Sequence, residues 1–151
     1  MRVVLDTNIL VRSHKNAQGP ARGCFERLQT EHHTLLISQF LLSELARVLT
    51  YPRVMVLHRL STTEISEFLS AVLIVGAWIE TPQDFAEIIV TADPDDDPIV
   101  QLAILGKAAV LCTLDRHLRS TTVREHCGNH GIRILTDVEL LDEFRRDEPN
   151  V

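Results

Sequence analysis

Short runs of β-branched and aliphatic residues alternate with longer stretches of helical periodicity along the chain. The runs predict strands at Arg2 to Asp6, Thr34 to Ser38, Ala77 to Glu80, Ala109 to Thr113 and Ile132 to Leu135. The first run is apolar in its interior, which is typical of a strand buried on both faces. Strands that alternate with helices favour an α/β fold, in which helices cover both faces of a mainly parallel sheet.

The stretches between these strands carry the signals of amphipathic helices. Ser38 to Thr50 has its apolar residues on one stripe, and Pro52 is expected to help stop that helix. A turn at Asp93 to Pro98 is expected to lead into a helix that ends at Gly106. The other predicted helices are Pro20 to Thr30, a segment that Thr62 or Thr63 caps and that runs to about Val75, and Asp137 to Arg146.

Length and composition predict a soluble cytoplasmic protein. The 151 residues suit one domain, which we expect at residues 1–146, followed by a short tail at 147–151. No secretory signal is predicted, and the apolar segment Phe68 to Ile79 is shorter than the roughly 20 residues of a membrane span. Cys24, Cys112 and Cys127 cannot pair completely and lack CxxC spacing, which favours a reducing compartment.

The formal net charge of −6 counts against nucleic-acid binding, because a phosphate backbone is usually bound by Lys and Arg. The objection weakens if several acids hold a metal ion, since the ion reverses the local charge. The positions of the acids therefore decide whether the negative charge excludes nucleic acid or belongs to a metal site.

Two acids follow predicted strands. Asp6 ends the first strand and Asp115 follows the strand that ends near Thr113. Because ligands of parallel α/β sheets bind outside the carboxyl ends of the strands, both acids fall at the expected edge. Each also has a purely structural interpretation: Asp6, or Thr7 after it, as a helix cap, and Asp115 as the cap of a turn or a partner of Arg116.

Two further acids lie on predicted helices. Glu44 is inside the helix from Ser38, and a solvated pair with Arg47 is its structural interpretation. Asp97 belongs to the acid-rich run Asp93 to Asp97 and directly precedes a helix. Such a run is more often a solvated loop or a helix N-terminus than a ligand set.

Taken together, Asp6, Glu44, Asp97 and Asp115 come from separate elements that one sheet edge brings close. Carboxylates are the ligands that Mg²⁺ and Mn²⁺ prefer. Three or four of them around one or two such ions suit phosphodiester hydrolysis by a metal-activated water.

Four segments in this order resemble the PIN-domain family, in particular the VapC-like toxins of prokaryotic toxin–antitoxin systems. Each segment is weak by itself, and the ordered set is specific. The segments are Val3 to Val11 (VVLDTNILV), Ser43 to Leu49 (SELARVL), Asp93 to Val100 (DPDDDPIV) and Leu111 to Leu118 (LCTLDRHL).

The resemblance implies a three-layer α/β/α fold and assigns roles to particular residues. Asp6, Glu44, Asp97 and Asp115 match the metal-binding and catalytic acids, and Asn8 and Thr113 match positions that help to orient acids or the attacking water. Asp96 is an alternative to Asp97, although helix phase favours Asp97. His117 stands where many relatives carry a second Asp, so no catalytic role is assigned to it.

The activity implied by the resemblance is endoribonuclease cleavage of RNA that depends on Mg²⁺ or Mn²⁺. It also implies a homodimer and a cognate antitoxin protein that covers the site. A catalytically silent PIN-like module that binds RNA or a protein is the alternative, and the complete set of four acids argues against it.

The remaining residues receive structural interpretations. The seven histidines lie in polar stretches and are expected at the surface, and Trp78 is expected in the core or a dimer interface. A phosphate path near the site is an open hypothesis for five basic residues: Arg12, Lys15, Arg116, Arg119 and Arg124.

Overall fold

A computed structural model of the chain describes residues 1–30, 32–82 and 97–148. The strands in these ranges are β1 (Arg2–Leu5), β2 (Thr34–Ile37), β3 (Ala77–Trp78), β4 (Val110–Cys112) and β5 (Arg133–Leu135). The helices are α1 (Thr7–Val11), α2 (Pro20–Leu28), α3 (Gln39–Leu49), α4 (Pro52–His58), α5 (Thr62–Val75), α6 (Asp97–Leu105), α7 (Thr121–Asn129) and α8 (Asp137–Asp147).

The strands form one five-stranded sheet in the order β3-β2-β1-β4-β5, and every pair is parallel. Val3 of β1 lies opposite Leu35 of β2 on one side and Val110 of β4 on the other. Helices flank the sheet, so the predicted α/β fold with a central parallel sheet is confirmed. The sheet explains the continuous apolar runs, because its central strands are covered on both faces.

The chain changes direction across the sheet next to β1. From β1 it continues outward to β2 and β3, and then crosses back to β4 and β5 on the other side of β1. The carboxyl ends of β1 and β4 therefore meet at the point where the strand order reverses. Open parallel sheets bind their ligands in the crevice at such a point.

The core lies between the central strands and the apolar stripes of the helices. Leu41, Leu45 and Leu49 follow one another at intervals of one helical turn on α3 and are completely buried. Ser38 accepts a hydrogen bond from the backbone N–H of Leu41 and caps this helix. The buried stripe that the sequence predicts for this segment is thus confirmed, and it fixes which face of α3 is directed away from the core.

Three local features differ from the sequence prediction. Pro52 was expected only to help stop α3, but it also begins α4, because proline fits the first position of a helix. The cap of α5 is Ser61, which forms a capping box with Glu64, and not Thr62 or Thr63. Helix α7 was not predicted; its sequence is mostly polar, and it buries only Val123 and Cys127.

One expectation about side chains is wrong for two histidines, and of the two places expected for Trp78 the structure excludes the core, while the dimer interface stays a prediction. The histidines were expected at the surface, but His14 and His58 are buried and their rings meet edge to face. His58 belongs inside because its two ring nitrogens pair with the backbone, Nδ1 with the N–H of Leu60 and Nε2 with the carbonyl of Leu49. Trp78 is not in the core of the chain: it is 41% exposed and donates to Glu80.

Other predictions are only partly covered by the described residues. The acids Asp93, Asp95 and Asp96 lie outside them, so the predicted turn before α6 stays a prediction. Helix α8 ends at Asp147, and the proposed domain limit at residue 146 is likewise untested. In the part of the chain that the structure describes, no helix is long and apolar enough to cross a membrane.

Candidate active site

Asp6 is a buried carboxylate at the carboxyl end of β1. Its backbone N–H donates to the carbonyl of Cys112, which continues the pairing of β1 with β4 by one residue. Its Oδ1 accepts from the backbone N–H of Thr7 at 2.7 Å, so Asp6 is also the cap of α1. Only 6% of Asp6 is exposed. The structural and the functional interpretations of this residue are therefore compatible, because capping α1 uses one carboxylate oxygen.

Thr113 connects Asp6 to Asp115. Its hydroxyl follows β4 and donates to Oδ2 of Asp6 at 2.8 Å. The hydroxyl oxygen of Thr113 in turn accepts a hydrogen bond from the backbone N–H of Asp115 at 3.0 Å. Because Thr113 is completely buried, this hydroxyl is held by both neighbours rather than by solvent. The supporting position that the resemblance assigns to Thr113 thus lies between two of the four acids.

Asp115 is half-buried and begins the segment after β4. Its Oδ1 accepts the backbone N–H of His117 at 2.7 Å, which is the turn cap considered in the sequence analysis. One oxygen of Asp115 is used for this cap, and the residue lies close enough for its charge to act on Asp6.

Glu44 is joined to the same region from the opposite side, through α3. Its Oε2 accepts the hydroxyl of Thr7 at 2.8 Å. The pair with Arg47 that the sequence suggested is present as well, with 3.8 Å between Arg47 and Oε1 of Glu44. Arg47 is largely exposed, and exposed ion pairs of this kind contribute little. The shorter bond to Thr7 therefore gives Glu44 its position.

The charges of these acids act on one another. Burial raises the pKa of Asp6 from its ordinary value of 3.8 to about 6. The hydrogen bonds from Thr113 and Thr7 lower this pKa, whereas the negative charges of Glu44 and Asp115 raise it. At neutral pH Asp6 remains mostly ionised, at a considerable electrostatic cost. A nearby cation would offset that cost.

Asp97 is the first residue of α6 and is buried, with 6% of its surface exposed. Helix α6 packs against β1, β4 and α3, the elements that carry or directly precede the other three acids. The alternative ligand Asp96 lies outside the described residues, so the preference for Asp97 stays a prediction. Asn8 lies in the first turn of α1 and is exposed.

Thr7 and Thr113 join three of the four acids, Asp6, Glu44 and Asp115, without forming a complete ligand cluster. Over residues 1–30, 32–82 and 97–148, no three His, Cys, Asp or Glu side chains are grouped so that they could hold a metal ion. The donor chemistry nevertheless suits a divalent cation, because carboxylate oxygens are the ligands of Mg²⁺ and Mn²⁺. Burial is the main cause of the raised pKa of Asp6, and the negative charges of Glu44 and Asp115 add to it.

Sequence reasoning missed the role of Thr7. It considered this residue only as a helix cap, whereas its hydroxyl connects α1 to Glu44, 37 residues away. Asp137 is another buried acid near this edge of the sheet, two residues after β5. Its Oδ1 accepts the neighbouring backbone N–H of Val138, which is a local helix-start contact. We assign Asp137 no role in the site.

Comparison with known proteins gives one match. The family model described as PIN domain matches residues 2–117, a span that includes β1 to β4 and all four acids. No curated protein and no solved structure matches the chain.

The first prediction concerns Asp6 and pH. Folding raises the pKa of this carboxyl, so the folded state binds the proton more tightly than the unfolded state does. The ionised carboxyl therefore destabilises the folded state. This destabilisation is complete above the folded-state pKa of about 6, and it disappears as the pH falls toward the ordinary value of 3.8. The variant Asp6→Asn lacks this titration. In metal-free buffer, its stability relative to the wild type should rise by about 2–3 kcal/mol between about pH 4 and about pH 7.

Urea denaturation of both proteins across this pH range measures the difference. Asp142→Asn, which removes a partly exposed acid of α8, is the matched control and should show no comparable trend. If the difference in unfolding free energy between Asp6→Asn and the wild type stayed constant across this pH range, the raised pKa of Asp6 would be contradicted.

Proposed function

The chain belongs to the PIN-domain family, and from this premise we propose that it is a divalent-metal-dependent endoribonuclease. PIN domains are generally nucleases, and they generally use divalent metal ions. The observation that carries the proposal is the pair of hydrogen bonds through which Thr113 links Asp6 to Asp115. This link lies where the strand order reverses, which is where such sheets bind ligands.

In this proposal Asp6, Glu44, Asp97 and Asp115 hold Mg²⁺ or Mn²⁺. When bound, such an ion supplies polarisation of the phosphate and an activated water. Asp6 contributes an ionised carboxylate whose direction is fixed by Thr7 and Thr113. Glu44 is held by Thr7, and Asp115 by its own turn. Pre-set side chains of this kind reduce the reorganisation that binding would otherwise require.

Thr113 acts as a positioning residue in the proposal. Its hydroxyl donates a hydrogen bond to Asp6 and accepts one from the backbone N–H of Asp115, so the orientation of the hydroxyl is determined on both sides. Asn8 is exposed beside Asp6 and has the amide group that could orient a water or a phosphate oxygen. In the proposal the nucleophile is a metal-activated water, so hydrolysis proceeds without a covalent enzyme intermediate.

RNA as the substrate, and a role as the toxin of a toxin–antitoxin pair, are the finer parts of the proposal. They rest on the similarity of the four acidic segments to VapC-like toxins. The same similarity suggests a cytoplasmic location and an antitoxin that covers the acids and blocks cleavage. The alternative is a PIN-like module that binds RNA or protein without cleaving it.

Cleavage of labelled single-stranded RNA tests the catalytic part. We expect cutting with Mn²⁺ or Mg²⁺ and none in EDTA. Asp97→Asn should reduce the rate on the order of 100-fold or more, because it removes a charge that acts on the reacting phosphate. Asp142→Asn makes the same chemical change on α8 and should cut like the wild type. Equal rates for Asp97→Asn and the wild type would remove Asp97 from the site.

Metal binding is tested separately from cleavage by thermal melting. An ion that binds only the folded chain stabilises it by about 2.7 kcal/mol at a concentration 100 times its Kd. We therefore expect millimolar Mn²⁺ to raise the melting temperature of the wild type and to have a much smaller effect on Asp115→Asn. If Mn²⁺ shifts neither protein and RNA stays intact, the silent binding module becomes the better description.

A homodimer is the last element of the proposal. Helix α5 exposes two neighbouring aliphatic side chains, Leu73 and Ile74, and Ile74 is 82% exposed. Apolar surface of this kind favours association. Light scattering should give the mass of two chains for the wild type and of one chain for Ile74→Asp. Val138→Asp, which changes a single exposed aliphatic residue of α8, is the control and should stay dimeric. A monomeric wild type would contradict the dimer.

A further inference from the structure

A cavity of about 530 Å³ opens directly beside the acids. Three of its lining residues lie next to three of the four acids in the chain. Asn8 is two residues after Asp6, Leu114 directly precedes Asp115, and Val48 lies one helical turn beyond Glu44 on the same face of α3. The cavity therefore borders the elements that carry three of the acids, and its volume is in the range of about 300–1,000 Å³ that small ligands occupy.

The charge of this cavity is opposite to that of the chain. Arg12 and Arg53 line it together with His14 and His58, and no Asp or Glu is among the described residues of its lining. The whole chain, in contrast, has a formal net charge of −6. Both arginines are exposed, so their guanidinium groups are accessible to a ligand. Guanidinium groups bind phosphate oxygens in a bidentate manner.

An aromatic residue also lines this cavity. Tyr51, the only tyrosine of the chain, is half-buried at the junction of α3 and α4 and lines the cavity. Its backbone caps α4, which fixes the position from which the ring extends. An aromatic side chain that lines the same cavity as two cationic groups is a combination that suits single-stranded nucleic acid, because the ring can stack on a base while the cations hold the backbone.

Two of the other basic residues that were considered for a phosphate path are engaged elsewhere. Of the five considered for a phosphate path, Lys15 forms an ion pair with Glu64, and Arg124 donates to the backbone carbonyls of Arg119 and Ile134. Arg12 belongs to the cavity. Arg53, which the sequence analysis did not single out, is the second arginine there. Arg12 and Arg53 are therefore the two arginines that line the cavity.

We propose that this cavity is a subsite for a nucleotide of single-stranded RNA next to the phosphate that is cleaved. Arg12 and Arg53 bind the phosphates of this segment, and Tyr51 stacks on its base. The assignment of RNA as the ligand rests on the proposed ribonuclease function. The acids then meet the scissile phosphate while the neighbouring cavity holds the strand, so the two regions divide cleavage and binding between them.

Binding of a short labelled single-stranded RNA, followed by fluorescence anisotropy in calcium buffer, tests this subsite without requiring cleavage. Gel analysis after each titration confirms that the RNA is intact. For single strands, each phosphate contact contributes about 0.7 to the slope of log K against log salt concentration. Arg12→Gln and Arg53→Gln should each reduce the slope by about that amount. Arg146→Gln, which removes an exposed charge from α8, should leave it unchanged.

The aromatic contact has its own matched pair. Tyr51→Leu keeps an apolar side chain but removes stacking, and should weaken binding by about five-fold or more. Tyr51→Phe retains the ring and should bind like the wild type. Thermal melting checks that each variant is folded; the arginine variants alter exposed side chains and keep the test valid if Tyr51→Leu unfolds.

The outcomes separate this subsite from the ribonuclease proposal. If the wild type cleaves RNA but the Arg12, Arg53 and Tyr51 variants bind it with unchanged slope and affinity, the subsite is wrong and the nuclease stands. If RNA binding depends on these residues but the wild type never cleaves, the cavity stands as an RNA-binding site, and both the nuclease and the position of the cavity beside a cleaved phosphate are wrong. A wild type that does not bind the RNA overturns the subsite.

Discussion

The hydrogen bond from Thr113 to Asp6 is the contact on which the architecture of the site depends. A buried carboxylate is unfavourable unless donors satisfy it, and Thr113 and the N–H of Thr7 supply those donors here. The same bond joins the ends of β1 and β4, the two strands between which the strand order reverses. It therefore stabilises a charge that the fold alone would not favour, and it fixes that charge in the crevice where a ligand would bind.

The sequence predicts the sheet well because the central strands are buried on both faces. Val3, Val4 and Leu5 form an uninterrupted apolar run for that reason, and they are completely buried. Elements with weaker burial are harder to predict. Helix α7 buries only two side chains, so its periodicity is faint. Pro52 is ambiguous for a different reason, since proline both ends one helix and begins the next.

Within the site, strand ends can be predicted and side-chain links cannot. Asp6 and Asp115 follow two strands that the α/β pattern already brings to one sheet edge, so their proximity follows from topology. The bond from Thr7 to Glu44 depends on how α1 packs against α3, and nothing in the local sequence encodes that arrangement. The buried pair of His14 and His58 likewise requires a tertiary environment, because these residues lie 44 positions apart in the chain and their rings meet only in the folded structure. Residue type and spacing alone favour a surface position for both histidines.

The distribution of charge reconciles an acidic chain with an anionic substrate. Net charge describes the field at long range, but salt at physiological concentration screens exposed charges beyond about 8 Å. Binding is therefore decided by the groups within that distance of the phosphates. Next to the acids, the phosphates would meet Arg12 and Arg53, in a cavity whose described lining carries no carboxylate. At the acids themselves, a divalent ion would supply the missing positive charge. A net charge of −6 then argues against loose, sequence-independent adhesion to nucleic acid, and not against a strand held at two defined points.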